Sequence, residues 1–598
     1  MGRKKKVIDD FTPSKYQSAI FDQILHGNGH IVVEAAAGAG KTTTLVKCLE
    51  LIPEDKQVLM TAFNRDIVTE LQKKTKKFEN VDVKTLHGLG LAMINRNFPG
   101  KVGAEPDPYK YYSHVRNNIK EYTTINLKRL LLKDYYRYLD NINKYIDFGR
   151  FYLCQTEKDL DFIEERYGIE TIADEKSIAI KVMDWGKHVL DPIDYADMIW
   201  LPHVLYLKPL GLLYDFIFVD ECQDLNKAER ELLLKCFKMG TRLISVGDTS
   251  QMVYSFSGGD PDSFNALKSL PNTTCLPLSI SYRCGKNIID LAKQIVPSIE
   301  WNENGGREGK VLYDVPLSAV EDGDMILCRN NAPLIQVYNE FLKIGKKAFI
   351  RGKDIGSNLK KLVISTKQDV INADCRFDGL FVRLYDDLFT TRNNIMVRSE
   401  IDAQTALKSP IIENKMDMIK ALEILSEGIN QTEELIKRID EIFPKSDKKG
   451  TGIALSTIHK AKGLEANRVF IVCPSLMPSK AAKKDWEIQQ ESNLMYVAYT
   501  RAKDVLGFID EKDFQDFDMS SAKSTSALAR IEYQVNKILG KTTKTIINES
   551  SARAIIANAK PVDKKISSSS TINIKSTRTI NSFNDIFKNK KKIKIVKR

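Results

Sequence analysis

Ile31-Val32-Val33-Glu34-Ala35-Ala36-Ala37-Gly38-Ala39-Gly40-Lys41-Thr42-Thr43 joins a short apolar run to a glycine-spaced turn and then to a helical pattern. A strand, a Gly-rich turn and a helix in that order make the context of a phosphate-binding loop. Gly38 and Gly40 let backbone N–H groups turn inward around phosphate oxygens. The helix N-terminus adds partial positive charge. Lys41 can reach the outer phosphates of a nucleotide, and the Thr42 hydroxyl can ligate Mg²⁺. The generic pattern begins with Gly, where this chain has Ala35. The plain alternative is a Gly/Ala turn before a helix.

A second stretch weighs against that alternative. Phe216-Ile217-Phe218-Val219 is apolar and runs into Asp220-Glu221-Cys222-Gln223-Asp224. Carboxylates at the C-terminal end of a parallel strand face the ligand crevice. Asp220 is expected to hold Mg²⁺, and Glu221 to orient and deprotonate an attacking water. The competing reading is that these acids cap the next helix, whose start is expected at Asn226-Lys227-Ala228.

Further strands are expected at Gln57–Thr61, Arg242–Val246, Met325–Cys328 and Val469–Val472. Short apolar runs alternating with helical patterns predict an α/β protein with parallel sheets. Two stretches of helical spacing, near 98–185 and 354–449, interrupt that pattern and read as inserted subdomains. Beyond about 513 the chain turns to Lys, Ser, Thr and Asn, with serines at 567–570, and reads as a disordered tail.

At 598 residues the chain is too long for one core. No apolar run reaches transmembrane length. The basic start, Gly2-Arg3-Lys4-Lys5-Lys6, has no apolar stretch behind it, so it is no signal peptide and an intracellular protein is expected. Nine cysteines without a CxxC pair argue against a zinc ribbon, a disulfide framework or an iron–sulfur cluster. A net charge of +12, with dense basic runs at both ends, favours a polyanion partner.

The A-x-x-G-x-G-K-T loop followed by D-E-x-Q-D resembles superfamily-one helicases of the UvrD/Rep/PcrA type. Other segments are similar to that family's motifs in order. They are Phe11–Gln17, Thr61–Arg65, Thr85–Leu89, Val246–Phe256, Ser281–Arg283, Leu455–Glu465 and Leu494–Lys503. The resemblance implies two RecA-like domains, each with a mostly helical insert. The first is expected over 1–97 and 186–272, with insert 1B at 98–185. The second is expected over 273–353 and 450–512, with insert 2B at 354–449, and the basic tail fills 513–598.

The resemblance also implies roles. ATP would lie between the domains, cradled by Ala35, Ala36, Ala37, Gly38, Ala39, Gly40, Lys41, Thr42 and Thr43. Gln17 would read adenine, Tyr282 stack on it, and Glu465 hold the ribose. Gln251, Arg283 and Arg501 would meet the γ-phosphate, Arg501 as an arginine finger. Phe63, Asn64, His87, Tyr254, Phe256, Thr457 and His459 would contact single-stranded DNA, the aromatics by stacking without regard to sequence. The motor is expected to be monomeric, to move 3′-to-5′, and to engage duplex junctions. Its basic tail either anchors nucleic acid, binds replication or repair proteins, or merely aids solubility.

The chain departs from the family in places. Ala36 replaces a Gly, Ser257 an Arg, and Ser492-Asn493 a pair of arginines. The Phe63-Asn64 and Asn493-Leu494 forms look more like the F-box helicase and viral branches, and a phage or viral origin would fit. An RNA helicase, a DNA-stimulated ATPase or translocase without unwinding, and a nucleic-acid scaffold with an inactive ATPase are the rival readings. Intact Lys41, Asp220, Glu221, Gln251 and Arg501 weigh against the scaffold. No nuclease pattern follows the last motif.

Overall fold

The computed structural model describes residues 11–510 except 63–64, 104, 128–131, 254–257, 261, 367–378, 400–405, 408 and 444–451. The tail expected from 513 therefore lies outside the described residues.

The strands are β1 (His30–Ala35), β2 (Val58–Ala62), β3 (Val81–Thr85), β4 (Tyr214–Val219), β5 (Phe237–Gly247), β6 (Thr273–Leu278), β7 (Ile280–Ser281), β8 (Glu300–Trp301), β9 (Lys310–Leu312), β10 (Met325–Cys328), β11 (Ala348–Ile350), β12 (Ile453–Thr457), β13 (Ala466–Val472) and β14 (Ala502–Ile509). Two six-stranded sheets form, ordered β3-β2-β4-β5-β1-β6 and β11-β12-β10-β13-β14-β9. Every pairing in them is parallel. β7 and β8 pair separately. The α/β expectation holds. The six strands read from the sequence are all present, with ends shifted by a few residues.

One expected boundary does not hold. The second unit was placed from residue 273, yet β6 pairs with β1 along its whole length, from His30↔Thr273 to Ala35↔Leu278. The first unit therefore runs to Leu278. β6 is an edge strand, which is where a strand proline such as Pro277 is tolerated.

Strand alternation divides the core. In the first sheet Val32, Leu59, Ile217, Val219 and Leu243 pack with the helices of the first insert. Ile31, Val33, Met60, Phe218 and Ile244 share a continuous cluster with Met325, Leu327, Val469 and Ile471 of the second sheet. On that sheet's other face Ile326, Leu455, Phe470 and Val472 pack with the second insert. Each sheet thus spends one face on its insert and the other on the core the two units share.

The first insert comprises the helices Lys110–Tyr122, Leu132–Phe151, Asp159–Tyr167 and Glu175–His188. A buried ion network fastens it. Lys110 Nζ lies 2.6 Å from Asp197, and Arg150 bonds Asp194 and Asp197. The second insert comprises Lys353–Ser365, Leu380–Ser399, Pro410–Leu425 and Thr432–Ile442. The last two are separate helices because the chain turns between them at Gly428, with φ 74°. Among the described residues no helix is long and apolar enough to cross a membrane. The eight described cysteines are free, and all but Cys275 are buried.

Candidate nucleotide cleft and nucleic-acid face

β1 ends at Ala35, and the chain turns through Gly38 and Gly40 at φ 72° and 79°. Left-handed backbone of this kind favours glycine. A Cβ on Gly38 would stand 2.6 Å from Arg283 Cβ and 2.7 Å from Ser281 Oγ. The second unit therefore seats against the loop only because that side chain is missing. Gly40 caps the helix Lys41–Leu49. Ala35, Ala36, Ala37 and Ala39 are buried behind the loop, and Thr43 is exposed. The Ala37 N–H donates to the Tyr496 hydroxyl at 2.8 Å, and the Tyr282 N–H to the Gly38 carbonyl at 2.9 Å.

A cleft of about 580 Å³ opens beside the loop. One wall is built by residues 38–43, Glu221, Asp224 and Gln251, the other by Tyr282, Arg283, Lys462, Glu465, Arg501 and Lys503. On the first wall Lys41 Nζ is 3.1 Å from Glu221. Thr42 Oγ1 donates to Asp220 Oδ2 at 2.6 Å. The cap reading of these acids fails. The helix Lys227–Lys235 is capped by Asn226 and Glu229, leaving Asp220 and Glu221 facing the loop. Glu221 is itself at φ 55°, a backbone conformation uncommon for a non-glycine residue.

Burial, then the adjacent Glu221, pushes the Asp220 carboxyl up to about 6. Burial works on Glu221 too, but Lys41 and then Lys462 hold it low, at about 2. Burial raises Asp224 and Asp248 as well, against the pull of Lys462 and Lys41 respectively. Among the described residues no cluster of three His, Cys, Asp or Glu has metal-ligand geometry. Thr42 and Asp220 nonetheless fit Mg²⁺, which keeps several waters and takes the rest of its oxygens from one or two carboxylates and substrate phosphates.

The second wall is cationic. Arg283 Nε donates to Glu465 at 2.7 Å, and Lys503 Nζ is 2.5 Å from the same carboxylate. Burial opposes this pair, yet Lys503 and Arg283 hold the Glu465 carboxyl below its usual range. Arg501 is fully buried, with hydrogen bonds to Val497 O, Leu464 O, Gln251 Oε1 and Thr500 Oγ1. These acceptors are all neutral. Burial, then Arg283, lowers its guanidinium to about 10. Side-chain links across the cleft include Arg501 to Gln251 at 3.0 Å and Lys462 to Asp224 at 2.6 Å.

Gln17 lies beside the loop, its Nε2 3.8 Å from a Cβ placed on Gly40, with its carboxamide engaged locally. Its Oε1 accepts from the Ser14 N–H at 3.0 Å, and its Nε2 donates to Thr44 Oγ1 at 3.0 Å. It is buried, closes a capping box, and does not line the cleft. Tyr282 does line it, and is 44% exposed, enough ring to meet a base.

Of the expected nucleic-acid contacts, Phe63, Asn64, Tyr254 and Phe256 lie outside the described residues. His87 stands in the first turn of the helix Leu86–Asn97, which Thr85 caps. Burial lowers its pKa, and its ring meets the Tyr195 ring edge-on at 6.4 Å. Tyr195, 56% exposed, was not foreseen. Thr457 closes β12 and is buried, with His459 two residues on. Burial, then Arg329 and Lys460, lowers His459 to about 3, so it is neutral. Also unforeseen were Asp224, Asp248, Lys462, Lys503, Tyr496 and Asn493. All stood in the quoted motifs or next to them, but Asp224 and Lys462, and Tyr496 and the loop it holds, lie far apart in sequence.

Residues 17–272 match the family described as UvrD/REP helicase N-terminal domain, and residues 452–509 the UvrD-like helicase C-terminal domain. The ATP-dependent DNA helicase PcrA of Staphylococcus aureus is 23% identical, over 80% of this chain and 80% of its own length. PcrA of Staphylococcus epidermidis is 22% identical, over 80% and 81%. The probable DNA helicase II homolog of Mycoplasma pneumoniae is 22% identical, over 80% and 82%. With an N-terminal and a C-terminal match in order, and one nucleotide-sized cleft lying where the two matched parts meet, the chain belongs to the UvrD/Rep family of helicases.

Proposed function

We propose that the chain is an ATP-dependent DNA helicase that tracks along a single strand 3′-to-5′ and separates the duplex ahead of it. The observation that carries the reading is the pairing of Lys41, Thr42, Asp220 and Glu221 on one wall with Arg283 and Arg501 on the other. Polyphosphate entering the cleft draws Lys41 off Glu221. With one of its two cations turned away, the Glu221 carboxylate becomes a better base toward water in line with the γ-phosphate. Arg283 and Arg501 then meet the charge that spreads onto the phosphate oxygens. Thr42 and Asp220 would hold Mg²⁺, which neutralises phosphate charge.

ATP joins the walls and hydrolysis releases them, a two-state closure biased by a ligand. A strand lying across His87 on the first unit and Thr457 and His459 on the second would be gripped in alternation. Tyr195, exposed beside His87, offers a further stacking face. DNA is preferred to RNA because the named relatives are DNA helicases.

Strand displacement tests this on duplexes with 3′ or 5′ overhangs, in DNA and in RNA, with Lys41→Ala alongside. Displacement of DNA from 3′ overhangs, lost in Lys41→Ala, is expected. Unwinding that survives Lys41→Ala would overturn the reading. Strand-stimulated ATP hydrolysis without displacement would reduce it to a translocase.

A further inference from the structure

The helix Asp485–Tyr499 leads into Arg501 and crosses to the first unit at a second, unassigned place. Asn493 on that helix is 4% exposed. Its Nδ2 donates to two backbone carbonyls of the first unit, Met252 O at 2.9 Å and Thr249 O at 3.2 Å. Those carbonyls flank Gln251, on the short turn Thr249–Gln251. Gln251 in turn donates from Nε2 to Asp248 at 2.7 Å and accepts Arg501 on Oε1 at 3.0 Å. The Asn493 Oδ1 accepts from Gln489 Nε2, one helical turn back, at 2.9 Å. That bond settles which end of the carboxamide faces the turn.

We propose that Asn493 is a positioning residue for ATP hydrolysis, clamping both ends of the Gln251 turn so that Gln251 and Arg501 meet in register across the cleft. The inference rests on the reading of the cleft as an ATPase site and deepens it. One nitrogen with two hydrogens spans two carbonyls three residues apart, a task for an amide and not for a carboxylate. The same helix carries Tyr496, whose hydroxyl accepts from the phosphate loop at Ala37. One rigid element therefore sets the loop, the Gln251 turn and Arg501 relative to each other. Small errors there matter, since catalytic groups displaced by about 1 Å can lose about a hundredfold in rate. Asn493 touches none of the reacting groups, so nucleotide binding through Lys41 should persist without it.

Steady-state ATP hydrolysis on single-stranded DNA tests the proposal in Asn493→Leu, Gln251→Ala and the double variant, with Gln489→Ala as an exposed and gentler change. Asn493→Leu is expected to lower kcat by about tenfold with the KM for ATP within about threefold. In the Gln251→Ala background the same substitution should change kcat by less than about twofold, because residues acting through one contact are not additive. Gln489→Ala should lower kcat by about threefold at unchanged melting temperature, so the proposal stays testable if Asn493→Leu folds poorly. Effects that multiply in the double variant, a loss carried by KM, or an unaltered kcat in Gln489→Ala would each overturn it. If wild type hydrolyses no ATP at all, the ATPase reading fails, a result distinct from any of these.

Discussion

The two walls of the cleft carry opposite electrostatic burdens. On the first, Asp220, Asp224 and Asp248 are buried and Glu221 is partly buried, with Lys41 as that wall's own cation beside them, and three of the four carboxyls are raised. The second carries Arg283, Arg501, Lys462 and Lys503 against a single lining acid, Glu465, and the most buried of them, Arg501, has a lowered pKa. Neither wall is well compensated by itself, and buried charge without a partner is costly. The Lys462–Asp224 pair sets a cation of the second wall on an acid of the first. The acidic surplus suits a divalent cation and the basic surplus suits polyphosphate. The cleft is therefore two half-sites, each completed by a different part of a metal–nucleotide complex.

The largest effect is expected from removing the buried cation of the second wall. Arg501→Ala is expected to lower ATP turnover by about 10³–10⁵-fold. Nucleotide affinity, read by equilibrium binding of a fluorescent ATP analogue, should fall far less, because the first wall is intact. A loss in affinity as large as the loss in turnover would show that Arg501 holds the ground state and is no finger. Glu221→Gln acts on the other wall and is expected to lower kcat by about 10²–10⁴-fold. Because it also frees Lys41 from its carboxylate, ATP binding should hold or tighten. Weaker binding in Glu221→Gln would mean that Glu221 supports the loop more than it activates water.

How much of this was legible in the sequence follows from where the chemistry sits. The loop from Ala35 to Thr43 and the acids Asp220 and Glu221 each follow one buried strand, so a contiguous stretch carries both the fold signal and the reactive groups. Gln17 carries a local signal as well as the family one. Ser14 and Gln17 form a capping box, a pattern visible in the sequence, and the cap takes the carboxamide that the family reading gave to adenine. β6 was missed because Pro277 and its exposed alternate residues hide an edge strand. Lys462 and Asp224 are 238 residues apart. Nothing near either one announces the other. Asn493 shows in the sequence only as a departure, since its partners on the first unit are backbone carbonyls and a carbonyl leaves no mark on the sequence.

The mildest test asks whether the acidic surplus of the first wall is a standing cost. The Asp220 carboxyl is raised from 3.8 to about 6, so it binds its proton more readily in the folded chain than in the unfolded one. Between about pH 4 and 6 the folded state holds the extra proton, and stability falls as pH rises through that window. Above the window the whole cost is present; below about pH 4 it vanishes, because both states are protonated. Glu221 has the opposite sign. Held down by Lys41 and Lys462 against burial, it adds stability that is lost as pH falls toward about 2. Asp220→Asn in EDTA, without nucleotide, is therefore expected to melt about 2–4 °C above wild type near pH 8. The gap should close toward pH 4, and Glu221 should not disturb that trend because it titrates lower. Adding Mg²⁺ and a non-hydrolysable ATP analogue should reverse the order. The cation then gives Asp220 a partner that asparagine matches poorly, and ligand binding stabilises the form that binds it better. An Asp220→Asn chain that melts lower in EDTA as well would mean that the Thr42–Asp220 contact already satisfies this acid, leaving the first wall no unpaired charge for a metal to relieve.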